Sequence, residues 1–355
     1  VYSATRYTLK DGAHFSREFI IMLLAIFLGI IAALFLSYFD YQVYTKFWPV
    51  IAVFCVIIML VLFKWGTGPS SRPDARTWLS IGPINFQPSE LVKIGFIITF
   101  GVHLDKVKEK INNIFSILQL GAHAAVPIVL VAATGDMGSA LVFMVIAIVM
   151  MFVAGVHWGY FLGGIALVGA ATPLIWTYVL KQLQKDRFLA LIYPDLYPDI
   201  IYQQQRGLNA IGAGGITGQG LFKGAYTQAG AVPESQNDMI FSVVGEELGF
   251  IGCITALLLI VLITVRIIYV GKKSSEQSTN LICTGMAAMI IGQMIINVGM
   301  CLMLLPVIGI TLPFFSAGGS SNLCVYLGIG IVMSIYRHNC DTGAVNIRVY
   351  DSLKK

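Results

Sequence analysis

The sequence predicts an all-α polytopic membrane protein of about nine transmembrane helices. Three observations predict it. Hydrophobic residues make up 57% of the 355 positions and charged residues only 12%, about half the charged share of an ordinary soluble domain. The mean hydropathy is +0.80. Apolar stretches able to cross about 30 Å of hydrocarbon, at about 1.5 Å per residue, recur along the chain. They fall at 19–38, 47–64, 88–104, 118–135, 137–156, 158–180, 240–270, 281–305 and 319–336. Thr134-Gly135-Asp136 splits the fourth from the fifth as a tight polar hairpin.

Composition also excludes function classes. The net charge is only +5 and the basic residues are scattered, which argues against a nucleic-acid partner. Cys55, Cys253, Cys283, Cys301, Cys324 and Cys340 lie singly, without CxxC or other ligand spacing, so they read as inert packing groups. His14, His103, His123, His157 and His338 are dispersed, and no metal is assigned to them. Arg6, Lys10 and Asp11 interrupt the first residues, so no signal peptide is visible. The start at Val1 rather than Met reads as a trimmed amino end.

Orientation follows from Lys and Arg near the segment ends. Lys106, Lys108 and Lys110, then Lys272 and Lys273, then Arg337, Arg348, Lys354 and Lys355 all fall on one side, expected to be cytoplasmic. The whole chain, 1–355, reads as a single integral membrane domain with a cytoplasmic tail at 338–355. Two polar loops face out, 65–87 and 181–237, and loops of that length are usually functional.

Five features carry potential chemistry. Asp238 opens the apolar run 240–270. It reads either as part of a capping box with Ser235 or as a general base, since a carboxylate partly shielded from water accepts protons more readily. Glu246 and Glu247 follow about 12 Å deeper along a continuous helix. Glu90 and Lys93, after Pro88 at a helix start, share a face and can pair, as a structural ion pair or in a polar cavity. Asp136 reads as a turn former with N-cap character. The segment Gly212 to Gly220 lacks the Gly-Lys-Ser/Thr of a P-loop and reads as a mobile outer loop. Leu312 to Ser321 reads as a re-entrant break whose small residues permit close packing.

Taken in order, these motifs resemble the SEDS family (shape, elongation, division and sporulation), most closely its RodA branch. The resemblance rests on Val1 to Arg6, on Arg76-Thr77-Trp78, and on Phe86-Gln87-Pro88-Ser89-Glu90. It continues through Ala210 to Gly220, Pro233-Glu234 with Asp238 to Phe241, Gly245 to Gly249, and Gly309 to Pro313 with Gly318 to Ser321. It implies the ten-helix SEDS fold, with the first helix largely missing here. It also implies a glycosyltransferase that polymerises lipid II, the undecaprenyl-pyrophosphate-linked disaccharide peptide. The location would be the outer face of the bacterial cytoplasmic membrane, beside a class B penicillin-binding protein and among membrane lipids. The family's essential Asp falls on Asp238, its helix-four pair on Glu90 and Lys93, its hairpin Asp on Asp136 and its loop Arg on Arg187. With Arg76, Trp78, Arg206, Lys223, Ser316 and Ser320 these form the candidate substrate-binding or cavity set. Gly135 stands where the family usually has Pro, Ala317 where Tyr is common, and Arg206 where many relatives have Gln.

The chemistry implied is attack by a sugar 4-hydroxyl on the anomeric carbon of a second lipid-linked disaccharide, displacing lipid pyrophosphate. Asp238 would take the proton, and Arg187, Arg206, Lys93 and Arg76 would meet the diphosphate. The sequence requires no cofactor, although a divalent cation, Mg or Mn, could share that task. The rod-shape role is the first expectation, with a division or sporulation role as the alternative. A lipid II transporter is the rival; it would need broken helices at mid-membrane and an internal repeat, and no repeat is visible. A third reading is a scaffold that activates its partner.

Overall fold

The computed structural model describes residues 1–9, 14–68, 75–82 and 84–352. Lys10, Asp11, Lys354, Lys355 and the side chain of Arg348 lie outside the described residues. Helices α1 (Tyr2–Thr5), α2 (Arg17–Tyr38), α3 (Tyr41–Lys46) and α4 (Trp48–Trp65) come first. An antiparallel hairpin follows within the loop 65–87: β1 (Leu79–Ile81) and β2 (Ile84–Phe86), with Ser80 opposite Asn85. Then come α5 (Pro88–Lys106), α6 (Ile114–Ala133), α7 (Met137–Val153) and α8 (Trp158–Leu174). The long polar segment 181–237 folds into α9 (Gln182–Ile192), α10 (Pro198–Gly214) and α11 (Ala225–Gln228). Next are α12 (Ile240–Lys273), α13 (Gln277–Cys301) and α14 (Gly319–Ser352), the last continuing through the segment read as a tail.

Each of the nine expected spans meets a helix. Among the described residues, 7 helices are long and apolar enough to cross a membrane. The other two have plain reasons. Helix α7 is short for a span, at 17 residues. Helix α5 carries Glu90, Lys93, Asp105 and Lys106, yet is buried along nearly its whole length. A helix surrounded by protein need not be apolar toward lipid.

Helix α12 departs from the expected continuous run. It breaks at Gly249, with φ +65 and ψ −165, a conformation glycine adopts without a Cβ penalty. A Cβ there would lie 2.3 Å from Gly218 N. The glycine-rich segment expected to be mobile is stitched to this break. Phe250 N and Ile251 N donate to Gly215 O (2.9 Å) and Ile216 O (3.1 Å). Gln219 N and Gly220 N donate to Glu246 O (2.9 Å) and Glu247 O (3.0 Å). The loop thereby satisfies backbone groups that the break strips of helical partners.

The chain divides into two compact units. The first holds Val1–Ile20, Val156–Leu259 and Gln293–Ala317; the second holds Ile21–Gly155, Ile260–Gly292 and Gly318–Lys355. In the first, Gln204 of α10 is buried and donates from Nε2 to Met300 O and Leu305 O, both at 2.8 Å. That pins the long polar segment to the end of α13 and the chain just beyond it. In the second, α5 is the central element, packed by α4, α6, α7 and α14. Its Ile97 and Phe100 are buried with Phe143, Ile146 and Met150 of α7. Gly285 of α13 lets that helix come close, since a Cβ would meet Ile97 at 2.6 Å.

Candidate active site

Asp238 lies half-buried in the turn that leads into α12. Glu234 takes the left-handed conformation, φ +52, and its carbonyl accepts from Asn237 N (3.0 Å) and Met239 N (3.1 Å). Three successive carbonyls of the turn are then held from far along the chain. Gln236 O accepts from Ala317 N at 2.9 Å. Asn237 O accepts from Ser316 Oγ at 2.8 Å. Asp238 O accepts from Asn297 Nδ2 at 2.8 Å. Asn297 is fully buried on α13 and also donates to Ile310 O at 2.7 Å. The Cys301 thiol, one turn on, points at Asp238 O from 3.6 Å. These bonds act on the main chain of 236–238 and so set the point from which the Asp238 side chain projects.

The surrounding backbone is strained. Among the described residues, the non-glycine positions with positive φ are Phe222, Glu234, Met303 and Phe314, and all four lie in the first unit. Such strain persists where neighbours over-determine the conformation, and it concentrates at functional sites. The expected capping box does not form. Helix α12 starts at Ile240, too far from Ser235, whose Oγ donates instead to Ala4 O at 3.4 Å.

The buried carboxylates Glu246 and Glu247 organise the long polar segment. Glu246 accepts from Tyr226 N (2.6 Å), Thr227 N (2.9 Å) and Thr227 Oγ1 (2.6 Å), which caps the short α11. Glu247 accepts from Ser3 Oγ (2.5 Å) and Gln228 Nε2 (3.1 Å). Sequence reasoning placed these two acids by depth alone. It also missed Asn297 altogether, since a lone Asn in an apolar run carries no local signal.

The basic candidates divide in kind. Arg187 is tied down, donating from Nη1 to Val307 O at 2.7 Å. Arg206 lies over the Tyr202 ring at 5.1 Å. Lys223 is exposed just past Gly220.

The remaining candidates gather in the second unit, around the amino end of α5. Glu90 and Lys93 pair at 2.7 Å, with the Lys93 side chain 0% exposed. Asp136 caps α7, accepting from Ser139 N at 3.0 Å. Its other oxygen accepts from Gln87 Nε2 (2.8 Å) and Ser89 Oγ (3.1 Å), which fastens the start of α5 to the α6–α7 hairpin. Gly135 has φ +90, which the ring of a proline forbids. Arg76 N donates to Thr134 O at 2.8 Å, and Trp78 N to Thr67 O at 2.9 Å, so the chain leading into the β1–β2 hairpin rests on the same corner. Ser320 accepts from Gln87 N at 3.1 Å and donates to Asn85 O at 3.3 Å. The histidines, dispersed in sequence, include a pair that meets: His103 Nδ1 and His123 Nδ1 lie 2.9 Å apart across α5 and α6.

Comparison with known proteins gives a consistent answer. The chain is 28% identical to the peptidoglycan glycosyltransferase MrdB of Escherichia coli K12, over 88% of this chain and 83% of that protein. It is 31% identical to the stage V sporulation protein E of Bacillus subtilis 168, over 96% and 92%. A chain from a peptidoglycan synthase complex that coordinates polymerization and crosslinking superposes with a TM-score of 0.78 at 26% identity, covering 91% of this chain and 90% of that one. The rod shape determining protein RodA of Thermus thermophilus shares the fold, with a TM-score of 0.69 at 23% identity over 95% and 92%. The model of the cell cycle protein family of FtsW, RodA and SpoVE matches residues 1–341. With its membrane-length helices, the chain is a multi-pass membrane protein, and it belongs to the FtsW, RodA and SpoVE family, the SEDS family that its motifs resemble.

Proposed function

We propose that this protein is a peptidoglycan glycosyltransferase that polymerises lipid II at the outer face of the bacterial cytoplasmic membrane, with Asp238 as general base. The observation that carries the assignment of Asp238 is its turn, where three consecutive carbonyls are pinned by Ala317, Ser316 and Asn297. A base must be held to within a fraction of an ångström of the proton it takes. In this reading Asp238 accepts the 4-hydroxyl proton of one saccharide as its oxygen attacks the anomeric carbon of the next. The bond to the lipid pyrophosphate breaks, and Arg187 and Arg206, in the same unit as Asp238, are the candidates to meet the departing charge. Among the described residues no three His, Cys, Asp or Glu side chains converge on one point.

The break in α12 bears on the transporter alternative. The stretch from Phe250 to Lys273 rises about 36 Å at about 1.5 Å per residue, enough to span by itself. In this reading the break and the two buried glutamates lie at the outer rim rather than the bilayer midplane, where a transporter keeps its discontinuous helices. Relatives with similar identity carry the names peptidoglycan glycosyltransferase MrdB, probable peptidoglycan glycosyltransferase FtsW and stage V sporulation protein E, and the rod-shape role with a class B penicillin-binding protein partner is the reading we favour. The test is Asp238→Asn. Radiolabelled lipid II incubated with purified protein and partner should give no polymer, while insertion and thermal stability stay as in the wild type. Undiminished glycan product from this variant would remove Asp238 from the mechanism.

A further inference from the structure

In the second unit, α12 and α14 leave a cleft of about 480 Å³ between them, within the range of about 300–1,000 Å³ typical of ligand pockets. Its lining includes Leu262, Arg266 and Val270 on one helix and Ile329, Val332 and Tyr336 on the other. The spacing of three and four makes one stripe on each helix. Apart from Arg266 and Tyr336 the lining is wholly apolar. Arg266 is exposed and, among the described residues, forms no ion pair with a carboxylate. Its guanidinium lies over the rings of Tyr269 (5.2 Å) and Tyr336 (5.4 Å).

Arg266 stands about 10 Å along the helix from Lys273. An arginine at that depth is costly unless it meets an anion or reaches the interface. The two tyrosines hold its flat face and leave the N–H edge for a bidentate acceptor, which is phosphate geometry. Lys272 and Lys273 follow on α12, and Arg337 follows on α14, over the Tyr38 ring at 4.3 Å. Positive charge beside a long apolar cleft, with no acid in its lining, fits an anionic lipid.

We propose that the α12–α14 cleft binds an anionic glycerophospholipid, an acyl chain in the cleft and the phosphate on Arg266. The site belongs to the Lys- and Arg-rich face, assigned to the cytoplasm by the charge pattern, and so is separate from the Asp238 turn. A zwitterionic lipid brings its own ammonium and loses the advantage of the surrounding cations.

The test uses the full chain in mild detergent, with native mass spectrometry under titration by phosphatidylglycerol or by phosphatidylcholine of identical acyl chains. Phosphatidylglycerol should be retained more tightly. Arg266→Gln should weaken that retention about fivefold, the change expected for one basic residue at an anionic surface. Val332→Trp, which fills the cleft, should abolish the preference and serves as the second variant should R266Q fail to fold. Equal retention of the two lipids would assign the cleft to a bare acyl chain or another protein's helix and overturn the proposal. Wild-type affinity in a folded R266Q or V332W would do the same.

Discussion

Replacing Asn297 is the sharpest probe of how Asp238 is held. The side chain is fully buried and its amide serves two carbonyls, Asp238 O at 2.8 Å and Ile310 O at 2.7 Å. Asn297→Leu keeps the volume and removes both donors. Each buried acceptor deprived of its partner costs about 1–3 kcal/mol, so the pair is worth about 2–6 kcal/mol of local stability. Because one of the two carbonyls belongs to Asp238 itself, much of that loss is spent as freedom of the turn. A displacement of about 1 Å at a reacting group costs about 100-fold in rate. Asn297→Asp is harsher, since it points oxygen at two carbonyl oxygens. The assay is lipid II polymerisation by purified protein with its partner, scored as kcat and KM separately, beside a thermal melt. The expected result is a kcat lower by about two orders of magnitude with KM little moved, because in the proposed mechanism Asn297 positions the base rather than binding the saccharide. A kcat within twofold of wild type in both variants, whatever the melt, would refute the claim that this amide sets the position of Asp238.

Two other perturbations test the frame. Lys93→Met alone leaves the Glu90 carboxylate buried without its partner, which should cost about 3–5 kcal/mol, read as a lower melting temperature. The double variant with Glu90→Gln should recover most of that loss, and no recovery would mean that the pair is not the source of the penalty. Gly249→Ala puts a Cβ 2.3 Å from Gly218 N at a positive φ. The clasp between 215–220 and α12 should open, with faster hydrogen exchange at the Gln219 and Gly220 amides. Unchanged exchange there would show that the break does not depend on glycine.

How much of this was legible depends on range along the chain. The spans were readable because hydrocarbon thickness sets a length and a polarity that a single segment must meet by itself. The Thr134-Gly135-Asp136 hairpin was readable because turn residues act within four positions. The Glu90–Lys93 pair was readable because three residues bring side chains to one helix face. The helix break at Gly249 was not, since the segment on both sides reads as helix and the glycine's φ is decided by Gly218 and Ile216 pressing against it. The capping box with Ser235 was the wrong local guess, because Ala4 offered that hydroxyl a partner from the far end of the chain.

The sequence by itself therefore determined that this chain crosses a membrane many times and carries an acid, Asp238, at the edge of its seventh expected span, near 240. Both follow from transfer free energies that each segment feels alone. Only the tertiary structure decided what holds that acid: Asn297, Ser316 and Ala317 reach it from 59 or more positions away. Hydrogen bonds between segments so far apart form only when packing has already closed the loops between them, and no local pattern of residues announces which carbonyl each donor will find.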